Sequence, residues 1–506
     1  MPSLMVKLYS VIFKYQQKHL LQGLIETPES NKSNPFGITS RPHESIAASN
    51  PSFTDGVATK DIRANPYSSL SLRIFLPDTA VTSSLASNYQ IPNYGGYSPV
   101  EGRSHRKLPV MLQFHGGGFV SGSNESMGND AFCRRIAKLC DVIVVAVGYR
   151  LAPETKYPGA FEDGFKVLNW LAKQSNLAVC GRLGAQNHIF DSFGASMVEP
   201  WLAAHGDTSR CVLLGVSSGA NIADYVARKA VEDGKRLDPV KVVAQILMFP
   251  FFIGRTPTHS EIKLASTYFY DKTMCKLAWK LFLPKEEFNL DHPAANPLVA
   301  GRQPPLKCMP PTITVVAEHD LMRDRAIAYS EELRKVNVDA PLLDYKDAVH
   351  EFATLDVLLQ TPQAQACAED VSIWVKKSHL NFDENFIHWI LKEHYFVSSV
   401  SGLLHIFILP RYSAAIVWML LVLTTKPSSI ALLLCKLDPV VKMHISPPCW
   451  CQAGNDVLDE GEPQFLPISQ AQYIYIFFLN LNNRFIRVYY NCSLSATKFL
   501  FLALFT

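Results

Sequence analysis

What most limits the fold of this chain is a series of short, nearly unbroken apolar runs. They are LPVMLQF (108–114), DVIVVAVGY (141–149), RCVLLG (210–215), VVAQILMF (242–249) and TITVVAE (312–318). Such runs, rich in Val and Ile, suit strands covered on both faces of a parallel sheet. Between them lie stretches with helical periodicity: NDAFCRRIAKLC (129–140), FEDGFKVLNWLAK (161–173), NIADYVARKAVEDG (221–234) and RAIAYSEELRKV (325–336). Strands alternating with helices at this spacing predict βαβ units and an α/β fold with a doubly wound, mostly parallel sheet. LLDYK (342–346) adds a strand and AQACAEDVSIWVKK (364–377) a closing helix. Upstream, the alternation of Leu72, Ile74 and Leu76 with more solvent-tolerant residues predicts another strand. Residues 4–24 read as an amphipathic helix with Leu4, Leu8, Ile12, Leu20, Leu21 and Leu24 as its apolar stripe. Residues 78–106 read as loop.

Composition narrows the function classes. The 506 residues are 48% hydrophobic and 18% charged, a globular balance with a substantial core. A net charge of +3 and the absence of any Lys/Arg run argue against a nucleic-acid partner. The 11 cysteines form no C-x-x-C pair and no zinc-ligand spacing, so no metal site is expected. Most lie in apolar runs, where a thiol acts as a small hydrophobe, and this favours a reducing compartment. Lys7 and Lys14 interrupt the short apolar run at the start, which reads as no secretory signal. The expected location is the cytoplasm, with the nucleus as a second compartment.

Past residue 378 the pattern stops. Residues 379–506 hold eight acidic and eight basic side chains, and their apolar clusters show neither caps nor β/α alternation. In GLLHIFILPRYSAAIVWMLLVLTT (402–425), Pro410 and Arg411 leave about 14 uncharged residues where a membrane span needs ~20. The expected reading is a protein without a membrane span, with a tether through this weak apolar segment as the alternative. The reading is a folded domain over 1–378 and a poorly ordered tail over 379–506.

The chemistry centres on LLGVSSGAN (213–221). It places a G-x-S-x-G pattern between a strand-like and a helix-like stretch. That is the setting of a nucleophile elbow, where Ser217 occupies a strained turn and Gly215 and Gly219 are small because strand and helix nearly touch. The helix start that follows favours negative charge. An attacking serine needs its oxyanion stabilised, and FHGGGF (114–119) follows a strand where a loop supplies backbone donors. Gly116 and Gly117, with the amide of Ser218, are the expected oxyanion donors. The chain order Ser, Asp, His is then completed after two further strands. Asp320 follows TITVVAE, and His350 follows LLDYK in Asp347-Ala348-Val349-His350-Glu351-Phe352. His350 would take the proton and Asp320 would orient the imidazole. Asp324 is the rival acid, one helical turn on, where a helix-start charge role is the plainer reading. His115 and His319 are poorer bases: the first would brace the glycine loop, and the second would point away from Asp320.

Residues 108–124 (LPVMLQFHGGGFVSGSN), 148–164 (GYRLAPETKYPGAFEDG), 199–221, 292–298 (HPAANPL), 315–325 (VVAEHDLMRDR) and 345–352 (YKDAVHEF) together resemble a plant carboxylesterase. That group belongs to the hormone-sensitive-lipase-like branch of the α/β-hydrolases, which also contains the gibberellin receptor. The resemblance implies an α/β-hydrolase fold and hydrolysis of a small-molecule ester without cofactor. It also implies Ser217, Asp320 and His350 as the triad, and a cap built by the N-terminal helix and residues 255–290. Phe251, Phe252, Tyr268, Phe269, Tyr270 and Trp279 are candidates for an apolar cap and acyl pocket, or for ordinary core. Two departures stand out. Val216 and Ser218 replace the Asp and Ala of the usual G-D-S-A-G, and the tail has no counterpart in the branch. The competing reading is a non-catalytic small-molecule receptor on the same fold. The receptor lacks a His at the base position, and the presence of His350 favours hydrolysis.

Overall fold

The computed structural model describes residues 2–26, 41, 44–64, 70–81, 96–99, 105–184, 198–266 and 268–381, with a few short strands beyond 400. The backbone separates into two compact units, Met1–Phe386 and Ile387–Thr506.

The first unit is built on one eight-stranded sheet, in the order β1-β2-β4-β3-β5-β6-β7-β8. Its strands are β1 Val57–Arg63, β2 Ser71–Pro77, β3 Leu108–Phe114, β4 Ile143–Gly148, β5 Gly206–Val216, β6 Val242–Met248, β7 Thr312–His319 and β8 Leu342–Val349. β4, β3, β5, β6, β7 and β8 run parallel, and β2 is antiparallel to both neighbours. The helices are α1 Leu4–Glu26, α2 Met127–Cys140, α3 Gly159–Gly184, α4 Pro200–His205, α5 Ser218–Asp233, α6 His259–Lys263, α7 Lys272–Phe282, α8 Arg323–Lys335 and α9 Pro362–Asn381. The chain leaves β3 for β4 and crosses back over β3 to β5. Strand order therefore reverses beside β3, where sheets of this kind open a crevice at the carboxyl ends of their strands. The loops after β3 and β5 meet there.

The apolar runs behave as their composition dictates: β3 is buried along its whole length, and so is β4 up to Gly148. Cys133, Cys140, Cys211, Cys275 and Cys367 are buried free thiols, while Cys308 is exposed.

Three local features correct or go beyond the sequence reading. No element is read over VATKDIR, yet β1 forms there; its register against β2 buries Val57, Ala58 and Thr59 and leaves the charged end at the sheet edge. β2 alternates in sequence yet is buried on both faces, since Arg73 is only 1% exposed. Asp61 grips its guanidinium at 2.6 and 2.8 Å, and Asp130 of α2 accepts from it at 3.1 Å. The third is α1. Leu4, Leu8 and Ile12 point outward at 72, 54 and 55% exposure, while Ser10, Phe13 and Leu21 are buried. The helix is apolar nearly all round at its start, so periodicity could not choose the face. Aromatic contact chose it: the Phe13 ring meets Phe269 and Tyr270 edge-on at 5.3 Å each.

Those contacts make the cap. Ser10 Oγ accepts from the Phe269 amide at 2.8 Å, and Lys18 pairs with Asp271 at 2.7 Å. α6 starts with a capping box between Thr258 and Glu261, and α7 lies in the same segment between β6 and β7.

In the second unit β9 Leu403–His405 pairs antiparallel with β10 Val422–Thr424. β11 Tyr473–Leu481 and β12 Arg484–Cys492 form a hairpin, with β13 Leu502–Leu504 on the far side of β12. Apart from these strands and the end of α9, the 379–506 segment read as a poorly ordered tail, with most of the 402–425 run, lies outside the described residues. Among the described residues no helix is long and apolar enough to cross a membrane.

Candidate active site

β5 ends on Val216, and α5 begins on Ser218. Ser217 makes the turn between them at φ 51° and ψ −118°, a conformation that costs an L residue roughly 1–3 kcal/mol. Its amide donates to the Met248 carbonyl at 2.8 Å, and its own carbonyl accepts from Phe251 at 3.2 Å. Gly215 and Gly219 are where the turn has no room. A methyl group on Gly215 would stand 2.2 Å from the Gly219 carbonyl oxygen, and one on Gly219 would stand 2.1 Å from that of Phe114.

Ser217, His350 and Asp320 come together as expected from their order. The Ser217 hydroxyl lies 2.9 Å from His350 Nε2, and His350 Nδ1 lies 2.7 Å from Asp320 Oδ2. The carboxylate can only accept, so Nδ1 carries the hydrogen and Nε2 is left to accept from the serine. The Met322 amide donates to the other Asp320 oxygen at 2.9 Å and fixes the carboxylate plane. All three side chains are buried. Burial pushes the imidazole down, but the charge and hydrogen bond of Asp320 outweigh it, and the net direction is up. Tyr270 and Phe249 close on the ring edge-on, with centroids at 5.2 and 5.9 Å.

The competing residues sit elsewhere. Asp324 accepts from the Ser260 amide at 2.7 Å on the first turn of α8, a helix-start role that ties the cap segment down. His319 lies 3.7 Å from Asp347, and its ring meets Tyr268. His115 stacks on Tyr149 at 4.2 Å and donates from Nδ1 to the Gly116 carbonyl at 2.8 Å. Burial pushes it down to about 4, so it is a neutral brace.

The glycine loop is held from several sides. The Tyr149 hydroxyl donates to the His115 carbonyl at 2.9 Å, Arg41 donates to the Val120 carbonyl at 2.7 Å, and Glu44 accepts from the Gly122 amide. Gly117 has φ 107°, and a methyl group there would stand 2.1 Å from the Ser121 carbonyl oxygen. A methyl on Gly116 would approach the Ser217 Cβ to 3.4 Å, so the loop and the elbow are in contact. The Ser218 hydroxyl lies 3.5 Å from that of Tyr149, and Val216 is buried.

The aromatic candidates divide. Phe251 and Trp279 stack at 5.5 Å, and Phe119 and Phe282 stack at 4.0 Å, in one cluster under the cap. Phe252 packs on Tyr329 in the core, and Phe269 packs on α1. One residue escaped sequence reasoning as a site member: Glu351 is buried beside Gly116. The available signal was a charge set between His350 and Phe352 at a strand end.

An elbow serine, a buried imidazole–carboxylate pair and a glycine loop on a mostly parallel sheet define an α/β-hydrolase architecture. The family described as "alpha/beta hydrolase fold" matches residues 111–354. Probable carboxylesterase 11 of Arabidopsis thaliana is 60% identical over 449 residues, covering 74% of this chain and 98% of that protein. Probable carboxylesterase 16 of the same plant is 61% identical over 435 residues, with the same two shares, 74% and 98%. A gibberellin receptor of Arabidopsis thaliana is 34% identical over 302 residues, 60% of this chain and 76% of the receptor. The chain belongs to the plant carboxylesterase family of α/β-hydrolases.

Proposed function

We propose that the protein hydrolyses carboxylic esters of small molecules through a serine acyl-enzyme, with Ser217 as nucleophile, His350 as general base and acid, and Asp320 as the group that orients the imidazole. Ser217 Oγ attacks the ester carbonyl as its proton passes to His350 Nε2. The C–O bond to the alcohol then breaks, and the imidazolium returns that proton to the leaving oxygen. Water, deprotonated by the same imidazole, attacks the acyl-enzyme and releases the acid. The amides of Gly116, Gly117 and Ser218 are assigned to the oxyanion, where one donor is worth about 3–4 kcal/mol of barrier. No cofactor takes part in these steps.

The observation that carries this reading is the continuous chain of 2.9 and 2.7 Å contacts from the Ser217 hydroxyl through His350 to Asp320. The close relatives bear carboxylesterase names, which agrees with it. A receptor role on the same fold would need no base, whereas here an imidazole sits on the serine. Turnover of a chromogenic short-chain ester that disappears in Ser217→Ala supports hydrolysis. Background turnover in both proteins would shift the reading to the receptor.

A further inference from the structure

We propose that Glu351 is a built-in competitor for the oxyanion donors, a carboxyl group that the substrate's carbonyl oxygen must displace, so that it sets the affinity of the site for esters. The inference rests on the assignment of Gly116 and Gly117 as those donors.

Three independent observations meet at this side chain. The backbone of Glu351 has φ 57°, the left-handed region that L residues enter at a cost and that glycine occupies freely. Strain of this kind is kept where the surroundings over-determine it, often at a functional site. The carboxyl is buried, and its Oε1 has no hydrogen-bond partner, although a buried carboxyl is normally fully paired. The group also stands on the glycine loop itself. A methyl built on Gly116 would lie 2.2 Å from Glu351 Oε1 and 3.2 Å from its Cδ, next to the Ser217 Cβ at 3.4 Å. Burial pushes the acid up, the His350 charge and the nearby Gly117 amide pull it back, and the net direction is up.

Oxyanion donors are aimed at a negative oxygen before the substrate arrives, and buried N–H groups left empty are costly. Glu351 supplies an acidic oxygen at that place from the residue after the base. An ester carbonyl and the carboxyl cannot occupy it together. The apparent KM is then the intrinsic value divided by the fraction of molecules in which the carboxyl has swung away.

The test uses the full chain as parent, Glu351→Gly and Glu351→Gln. Glycine suits the φ and removes the group, and glutamine keeps the shape without the charge. Each protein is assayed with p-nitrophenyl acetate and with a trifluoromethyl ketone, which adds to an activated serine and places an oxyanion on the donors. If the pocket stands open about a tenth of the time, KM and the inhibition constant both fall about tenfold in Glu351→Gly, with kcat not rising in proportion. Glu351→Gln should fall between, and it carries the test if the glycine variant melts early. Unchanged or weaker KM and inhibition, with turnover that still depends on Ser217, would overturn the proposal and leave the esterase reading standing. Failure of parent and variants alike to react with a fluorophosphonate at Ser217 would remove the esterase reading and this proposal with it.

Discussion

Gly219 lies against Phe114 so closely that a single added methyl would stand 2.1 Å from the Phe114 carbonyl oxygen, well inside van der Waals contact. The obstruction is backbone of β3 and cannot rotate away, so this one contact locks the serine turn to the strand that launches the glycine loop. Gly219→Ala is expected to cost about 3 kcal/mol or more through forced displacement of backbone. Thermal melting should show a drop of several degrees, and ester turnover should fall with it. A variant that melts like the parent would mean that elbow and loop are not coupled in this way.

Gly117 gives a related prediction with a different readout. Gly117→Ala meets both a φ of 107° and the Ser121 carbonyl at 2.1 Å, so the loop shifts while the sheet beneath keeps its packing. Misplacing one oxyanion donor costs roughly 10²–10³ in kcat. Melting should drop as well, but turnover of the folded protein should fall by far more than the loss of stability accounts for.

Asp320→Asn is expected to lower kcat by roughly 10⁴, because the wrong tautomer then faces the serine. It should also change the pH profile. In the parent the carboxylate raises His350 against the opposing effect of burial. The neutral, active imidazole therefore disappears on acidification at a pH above the usual histidine value. Without that charge burial is left to act, so the acid limb of kcat/KM should move to lower pH in the variant. A limb that stays in place would sever the link between Asp320 and the base.

Arg73→Met tests the sheet edge. It removes both bonds to Asp61 and one cationic partner of buried Asp130, with Arg134 staying 2.6 Å from that carboxylate, so the expected loss is about 1.5–3 kcal/mol. Urea unfolding should show that loss without a change in kcat/KM for the folded fraction.

How much was legible beforehand follows the physics of each signal. β3 and β4 announce themselves because both faces are buried, so nearly every residue is apolar. Ser217, Asp320 and His350 were legible because each follows a recognisable strand, and strand ends in this topology converge on one edge. β1 and Arg73 were not. Their burial depends on ion pairing across 12 residues to Asp61 and across 57 to Asp130, and residue type alone does not reveal such partners. The buried side of α1 depends on Phe269 and Tyr270, more than 250 residues away, while its own apolar residues surround the axis. Glu351 was hidden for a similar reason, since a charge at a strand end ordinarily faces water.

In the proposed mechanism one imidazole, that of His350, activates one particular hydroxyl, that of Ser217. The most direct measurement is fluorophosphonate labelling of the full-length protein followed by peptide mapping. The expected result is one modified residue, Ser217, with labelling abolished in Ser217→Ala and strongly slowed in His350→Ala. A label found on another residue, or one that persists in Ser217→Ala, would contradict it.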